Sequence, residues 1–163
     1  MKNVLVTYYS KTNTTKMIAE KIGELISSES LKVSIQPIEA TTRLSDYDGV
    51  IIGAPIHGMR WATEIVDYIN LHASELKDIK TAYFFSSYII KTGSGFWRRA
   101  ITKSLDTVNE LISPIQKGKF GGRVEKVFGG FPRLIFGIKK SSPIDVVDWE
   151  EVAAFADLLK VEL

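Results

Sequence analysis

The sequence contains no cysteine. This excludes a disulfide framework, a thiolate metal site, an iron–sulfur cluster and a cysteine nucleophile. It contains only two histidines, His57 and His72, so a histidine-rich metal centre is excluded as well. Charge of one sign is scarce: 21 basic residues face 19 acidic ones, and a net charge of +2 gives no ground for a nucleic-acid partner. No apolar run approaches the ~20 residues of a membrane span. The opening Met1-Lys2-Asn3-Val4-Leu5-Val6 has too short an apolar run for a signal peptide, and Lys11 and Lys16 follow soon after. A cytoplasmic location is the default expectation.

What is present fits one ordinary globular domain. At 163 residues the chain falls within the usual size of a single unit, and 45% hydrophobic and 25% charged residues leave little room for disorder. The charge is unevenly placed. Residues 1–90 carry a net −1, residues 91–140 a net +8 and residues 141–163 a net −5. A positive block thus occupies the third quarter of an otherwise slightly acidic chain.

Strand-like and helix-like patterns alternate. Val4-Leu5-Val6-Thr7-Tyr8-Tyr9 reads as a buried strand, broken by the small polar run Ser10 to Thr15. Met17, Ile18, Ile22, Leu25 and Ile26 then recur at helical spacing. Leu31, Val33 and Ile35 alternate with polar residues up to Pro37, as expected of an edge strand. Val50-Ile51-Ile52-Gly53-Ala54 is continuous and apolar, which predicts a central parallel strand. Trp61, Ile65, Tyr68, Ile69 and His72 predict a second helix, and Thr81 to Ser86 a third buried strand. Phe96, Ala100, Leu105, Val108, Leu111 and Ile112 predict one helix ending before Pro114. Part of Phe120 to Phe128 is expected to supply the last strand, and Asp148 opens a terminal helix through Leu159. This alternation places the chain in the α/β class with a parallel sheet. Ligands of such sheets bind at the carboxyl ends of the strands, so the loops after Tyr9, Gly53 and Phe85 carry the candidate residues.

In the first loop, Ser10-Lys11-Thr12-Asn13-Thr14-Thr15 joins a strand to a helix. A helix N-terminus offers unpaired N–H groups and a positive dipole end, and hydroxyls add neutral donors, which suits a phosphate. Asn13 stands where a left-handed turn is expected, a conformation Asn tolerates. Neither a nucleoside-triphosphatase loop nor a dinucleotide fingerprint is present. A hydroxyl-rich turn that only caps the helix accounts for the same residues, and both readings stay open at this point. In the second loop, Ala54, Pro55, Ile56, His57 and Gly58 are candidates, with Gly58 allowing close backbone approach. Trp61 reads better as the first core residue of its helix, and His72 as structural or exposed. Ser86, Ser87 and Tyr88 form the third loop.

Tyr8-Tyr9-Ser10-Lys11-Thr12-Asn13-Thr14-Thr15, with Ala19 beyond it, resembles the phosphate loop of the flavodoxin family, with Asn13 where the family pattern has glycine. The resemblance implies a flavodoxin-like three-layer α/β sandwich whose five-stranded parallel sheet runs in the order 2-1-3-4-5. It implies FMN as cofactor. Ser10, Lys11, Thr12, Asn13, Thr14 and Thr15 would then hold the phosphate. Ala54, Pro55, Ile56, His57 and Gly58 would frame the ribityl chain and ring together with Ser86, Ser87 and Tyr88, Tyr88 stacking on the ring. Gly53-Ala54-Pro55-Ile56, Tyr83-Phe84-Phe85-Ser86 and Asp148-Trp149-Glu150-Glu151-Val152-Ala153-Ala154-Phe155-Ala156 resemble the menaquinone-dependent protoporphyrinogen oxidase family more closely. That implies an FMN oxidoreductase acting on a porphyrinogen, with a quinone as acceptor. A general flavodoxin-type electron carrier or quinone reductase is the alternative. A flavin-free binding module is a third, resting on Asn13 alone.

The stretch of about 115–140 departs from the alternation and reads as a basic, glycine-rich insertion into the single domain of residues 1–163. It holds six glycines, seven basic residues and one acidic residue. Its positive charge would steer an anionic small molecule such as a porphyrinogen. Phe131 to Lys140 is an apolar patch framed by cations, open to three readings: packing back on the sheet, a homodimer contact, or contact with a membrane surface.

Overall fold

The computed structural model describes residues 1–41, 43–104, 106–126 and 129–163. The parallel strands are β1 (Lys2–Tyr8), β2 (Leu31–Pro37), β3 (Gly49–His57), β5 (Lys80–Ser87) and β6 (Lys117–Gly121), in the spatial order β2-β1-β3-β5-β6. Counting parallel strands alone, this is the expected 2-1-3-4-5 order. The addition is β4 (Arg60–Trp61), two residues that fold back antiparallel on the end of β3, pairing Ile56 with Trp61 and His57 with Arg60.

Alternation along the strands sorts the core into two layers. Leu5, Val50, Ile52, Tyr83 and Phe85 face α2 (Thr63–Leu71), α3 (Ala73–Leu76), α5 (Gly95–Ser104) and α6 (Asp106–Leu111) through Ile65, Ile69, Leu76, Ile101 and Val108. Val4, Val6, Ile51, Ala82 and Phe84 face α1 (Thr14–Ile26) and α8 (Trp149–Glu162) through Ile18, Ile22, Val152, Phe155 and Leu159. The α8 N-terminus is capped as expected: the Asp148 carboxylate accepts from the backbone N–H groups of Glu150 and Glu151.

Three expectations need correction. The expected helix through Phe96–Ile112 is two helices, α5 and α6, and Leu105 lies outside the described residues. Trp61 does not open α2 but sits in β4, buried and edge-on to Tyr83 at 5.3 Å. The last strand spans Lys117–Gly121, upstream of the expected Phe120–Phe128, of which Val127 and Phe128 lie outside the described residues. Its sequence, Lys-Gly-Lys-Phe-Gly, carries only one large apolar side chain, so periodicity does not mark it.

His72 is buried and structural. Its Nδ1 pairs with Glu75 Oε1 at 2.8 Å, and Glu75 Oε2 accepts from the backbone N–H groups of Leu44 and Ser45, tying α3 to the loop before β3. The His72 bond, then that of the Leu44 amide, holds the Glu75 carboxyl below the usual glutamate range. A carboxyl depressed on folding adds stability above its unfolded pKa and loses it as pH falls through the folded one. Glu75→Gln is therefore expected to lower the melting temperature at neutral pH, with the gap from the native chain narrowing as the melt is repeated at progressively more acid pH.

Candidate functional site

The carboxyl ends of β1, β3 and β5 lie side by side, and their loops surround one cleft. The Tyr9 N–H donates to the Gly53 carbonyl (3.0 Å), carrying β1 to the lip of the cleft. Asn13 then turns the chain in the left-handed conformation (φ 63°) and becomes the N-cap of α1, accepting the Met17 N–H on its carbonyl. Its side chain makes no capping bond, and no acidic residue stands in the first turn. The amides of that turn therefore keep their donors free, beside a positive dipole end.

Thr12 and Thr14 line the cleft. Thr14 is 6% exposed, and its hydroxyl is buried with no hydrogen-bond partner among the described residues. Leaving a buried hydroxyl unsatisfied is costly, which marks this atom as awaiting an acceptor from outside the chain. Thr15 is different: its hydroxyl is bonded to Ser86 Oγ at 3.0 Å, pinning α1 to the end of β5 beneath the loop. Lys11 and Asn13 line an adjoining concavity, with Thr12 shared between the two. Ser10 and Ala54 contribute to neither wall.

The second loop supplies Pro55, Ile56, His57 and Gly58 to the cleft. Gly58 (φ 55°) and Met59 (φ 69°) are both left-handed, the signature of a tight hairpin turn joining β3 to β4. A Cβ on Gly58 would meet nothing, so its backbone faces open space. The third loop supplies Ser86, Ser87 and Tyr88. Tyr88 is buried, begins α4 (Tyr88–Thr92), and its hydroxyl donates to the Pro143 carbonyl at 2.7 Å, which fixes the ring in the cleft lining.

One charged cluster stands on the rim. The Tyr9 hydroxyl donates to Glu64 Oε1 at 2.6 Å, and Lys11 Nζ lies 4.0 Å from the same oxygen and 5.8 Å from the Tyr9 ring centroid. The Tyr9 bond holds the Glu64 carboxyl below its usual range, and in return raises the Tyr9 phenol. This cluster joins the first loop to the start of α2.

The remaining wall is Ile89, Gly122, Arg123, Val124 and Phe136; sequence reasoning placed the last four in the basic insertion and gave none of the five a cofactor role. Most come from an excursion between β6 and α8. Its base is a short antiparallel ladder: Val146 N–H to Gly122 carbonyl (3.1 Å), Arg123 opposite Asp145, and Val124 N–H to Ile144 carbonyl (2.9 Å). Its tip carries α7 (Gly130–Phe136) back against α5. The available signal was the pair Gly121-Gly122 at the end of the last strand, which marks close backbone approach. A Cβ on Gly121 would lie 1.7 Å from the Val146 carbonyl oxygen, and one on Gly122 2.7 Å from the Tyr88 nitrogen. Arg123 lines both the cleft and the concavity beside Asn13, and so brings a cation next to the open helix N-terminus.

Among solved structures, Flavodoxin 2 from Bacillus cereus is 21% identical, with 99% of each chain covered and a TM-score of 0.63. A flavoprotein from Lactobacillus acidophilus in complex with FMN is 19% identical over 73% of this chain and 93% of that one (TM-score 0.52). An NADH:FMN oxidoreductase in its apo form is 13% identical over 100% of this chain and 90% of that one (TM-score 0.61). At these identities the likeness is one of fold. Curated protein sequences give no match. The family model of the flavodoxin domain matches residues 5–127, which takes in the first loop, the β3 hairpin and the β5 loop, and the chain belongs to that family.

Proposed function

We propose that this chain is an FMN-binding electron carrier of the flavodoxin type. The observation that carries the reading is the first loop: a left-handed Asn13 opening α1, no carboxylate in the turn, and the buried, unpartnered Thr14 hydroxyl beside free amides. These donors fit a phosphate monoester. The cofactor is FMN, which when bound supplies the electron-exchange chemistry. Thr12, Thr14 and the first-turn amides hold its phosphate, and Ser86 keeps the turn in place through Thr15. Pro55 to Gly58 and Ser86 to Tyr88 border the space left for the ribityl chain and ring. Visible absorbance after loading with FMN and exhaustive dialysis tests this. Retained flavin absorbance supports the reading. A folded protein that retains none sinks it and leaves a flavin-free binding module.

Arg123 adds a cation to neutral donors. Arg123→Gln is expected to weaken FMN about five- to tenfold, the worth of one partly exposed charge contact, and to leave riboflavin binding unchanged. Titration by flavin-fluorescence quenching reads both, and the loss should shrink at high salt.

A narrower reading is favoured by one observation, the excursion that sets Arg123 and Phe136 in the cleft wall. A cation and an aromatic ring suit an anionic aromatic substrate. On this reading the chain is an FMN oxidoreductase similar to menaquinone-dependent protoporphyrinogen oxidase, delivering electrons to a quinone. Anaerobic incubation with protoporphyrinogen and a menaquinone analogue discriminates: turnover supports the enzyme, and its absence in the FMN-loaded protein leaves the carrier. Among the described residues no helix is long and apolar enough to cross a membrane.

A further inference from the structure

The excursion leaves an apolar surface uncovered. On α7, Phe131 is 73% exposed, Leu134 79% and Ile135 43%, and their spacing puts them on one side of the helix. On α5, Phe96 is 71% exposed. The two helices are fastened together there. Trp97 Nε1 donates to the Ile135 carbonyl at 2.6 Å, and the Ser94 N–H to the Phe136 carbonyl at 2.9 Å. The Trp97 ring meets Phe136 at 5.2 Å and Phe96 at 5.1 Å, both edge-on. Apolar side chains of two elements are thereby gathered into one area.

Cations lie on the same two segments. Arg98, Arg99 and Lys103 line a groove on α5, and Arg133, Lys139 and Lys140 lie on and just beyond α7. Residues 94–104 and 129–142 hold these six basic residues and no acidic one. Among the described residues none of the six forms an ion pair.

We propose that this surface docks on an anionic lipid bilayer, with Phe96, Phe131 and Leu134 entering the interface and the six cations on the headgroup phosphates. Charge complementarity selects this occupant. A second copy meeting the same surface across a two-fold axis would bring six positive charges against six. The rim of a specific protein interface carries donors and acceptors of both kinds, whereas the charged side chains of these two segments are all cationic donors. A large apolar centre ringed by Lys and Arg is the pattern of a helix lying in a membrane interface. Phe136 belongs both to α7 and to the cleft wall, so docking occurs beside the candidate site. Docking through these residues requires no bound FMN.

Co-sedimentation of the full chain with vesicles tests it, using phosphatidylcholine alone and equal parts phosphatidylcholine and phosphatidylglycerol. The expected result is pelleting with the anionic vesicles only, weakened by salt. Phe131→Ser/Leu134→Ser is expected to lower the partition about tenfold or more. Arg98→Gln/Arg99→Gln should lower it about fivefold per charge. Both variants alter exposed side chains, and unchanged thermal melts confirm that they fold. Failure to pellet with either composition overturns the proposal, as does equal pelleting of both variants and the native chain. A concentration-dependent dimer in sedimentation velocity, abolished by Phe131→Ser/Leu134→Ser in a protein that ignores vesicles, also overturns it and assigns the surface to a second copy.

Discussion

Gly121→Ala is expected to destabilise the chain by about 3 kcal/mol or more, the upper range for forcing an atom into filled space. For a chain of this size that lowers the melting temperature by roughly 6–12 °C. The added methyl would sit 1.7 Å from the Val146 carbonyl oxygen, a backbone atom that cannot rotate aside. Relief requires β6 to separate from residues 144–146, which breaks the ladder through Gly122 and Arg123. Because those residues are part of the cleft wall, flavin affinity should fall with the melting temperature. Gly129→Ala is the control. It lies at ordinary φ (−87°), a Cβ there meets nothing, and the change should stay within about 0.5 kcal/mol. Thermal melts of both, with and without FMN, decide the matter. Equal melts would show that the excursion's base is loose.

Thr14→Val should move stability and binding in opposite directions. Val keeps the shape and removes a hydroxyl that the chain alone leaves unsatisfied. Burying such a group costs about 1–3 kcal/mol, so the cofactor-free variant should melt at the same temperature as the native chain or higher. With FMN present, the hydroxyl's bond to a charged phosphate is lost. Bonds of that kind contribute about 1.5–3 kcal/mol, so the dissociation constant should rise roughly ten- to a hundredfold. A variant that binds FMN as tightly as the native chain would place the phosphate elsewhere. One that loses stability without flavin would show that Thr14 is bonded within the protein after all.

The four parallel strands before residue 90 were legible because burial on both faces or alternation at an edge writes a strong pattern. Leu5, Ile51 and Phe84 are all fully buried, as continuous apolar runs require. The first loop was legible for a local reason: an Asn among small polar residues is suited to the left-handed turn that Asn13 makes. The last strand was not, because Gly118 and Gly121 leave Phe120 almost alone as an apolar marker. Arg123 was unreadable for a different reason. In the sequence it is one of eleven basic residues between positions 91 and 140, and only the fold-back through Ile144 and Val146 selects it. Nothing in the sequence marked the Tyr88 hydroxyl as held by the Pro143 carbonyl, 55 residues away.

The narrow base of the excursion has an evolutionary consequence. Gly122 and Val146 are one hydrogen bond apart, so what hangs between them can lengthen, shorten or change charge while the sheet and the first loop stay as they are. Closure entropy rises only slowly with loop length, about 0.6 kcal/mol for each doubling, so such changes meet little thermodynamic resistance. Such a change reaches the cleft through Arg123, Val124 and Phe136, so a graft of residues 123–145 between two such chains would exchange α7 and that part of the wall together.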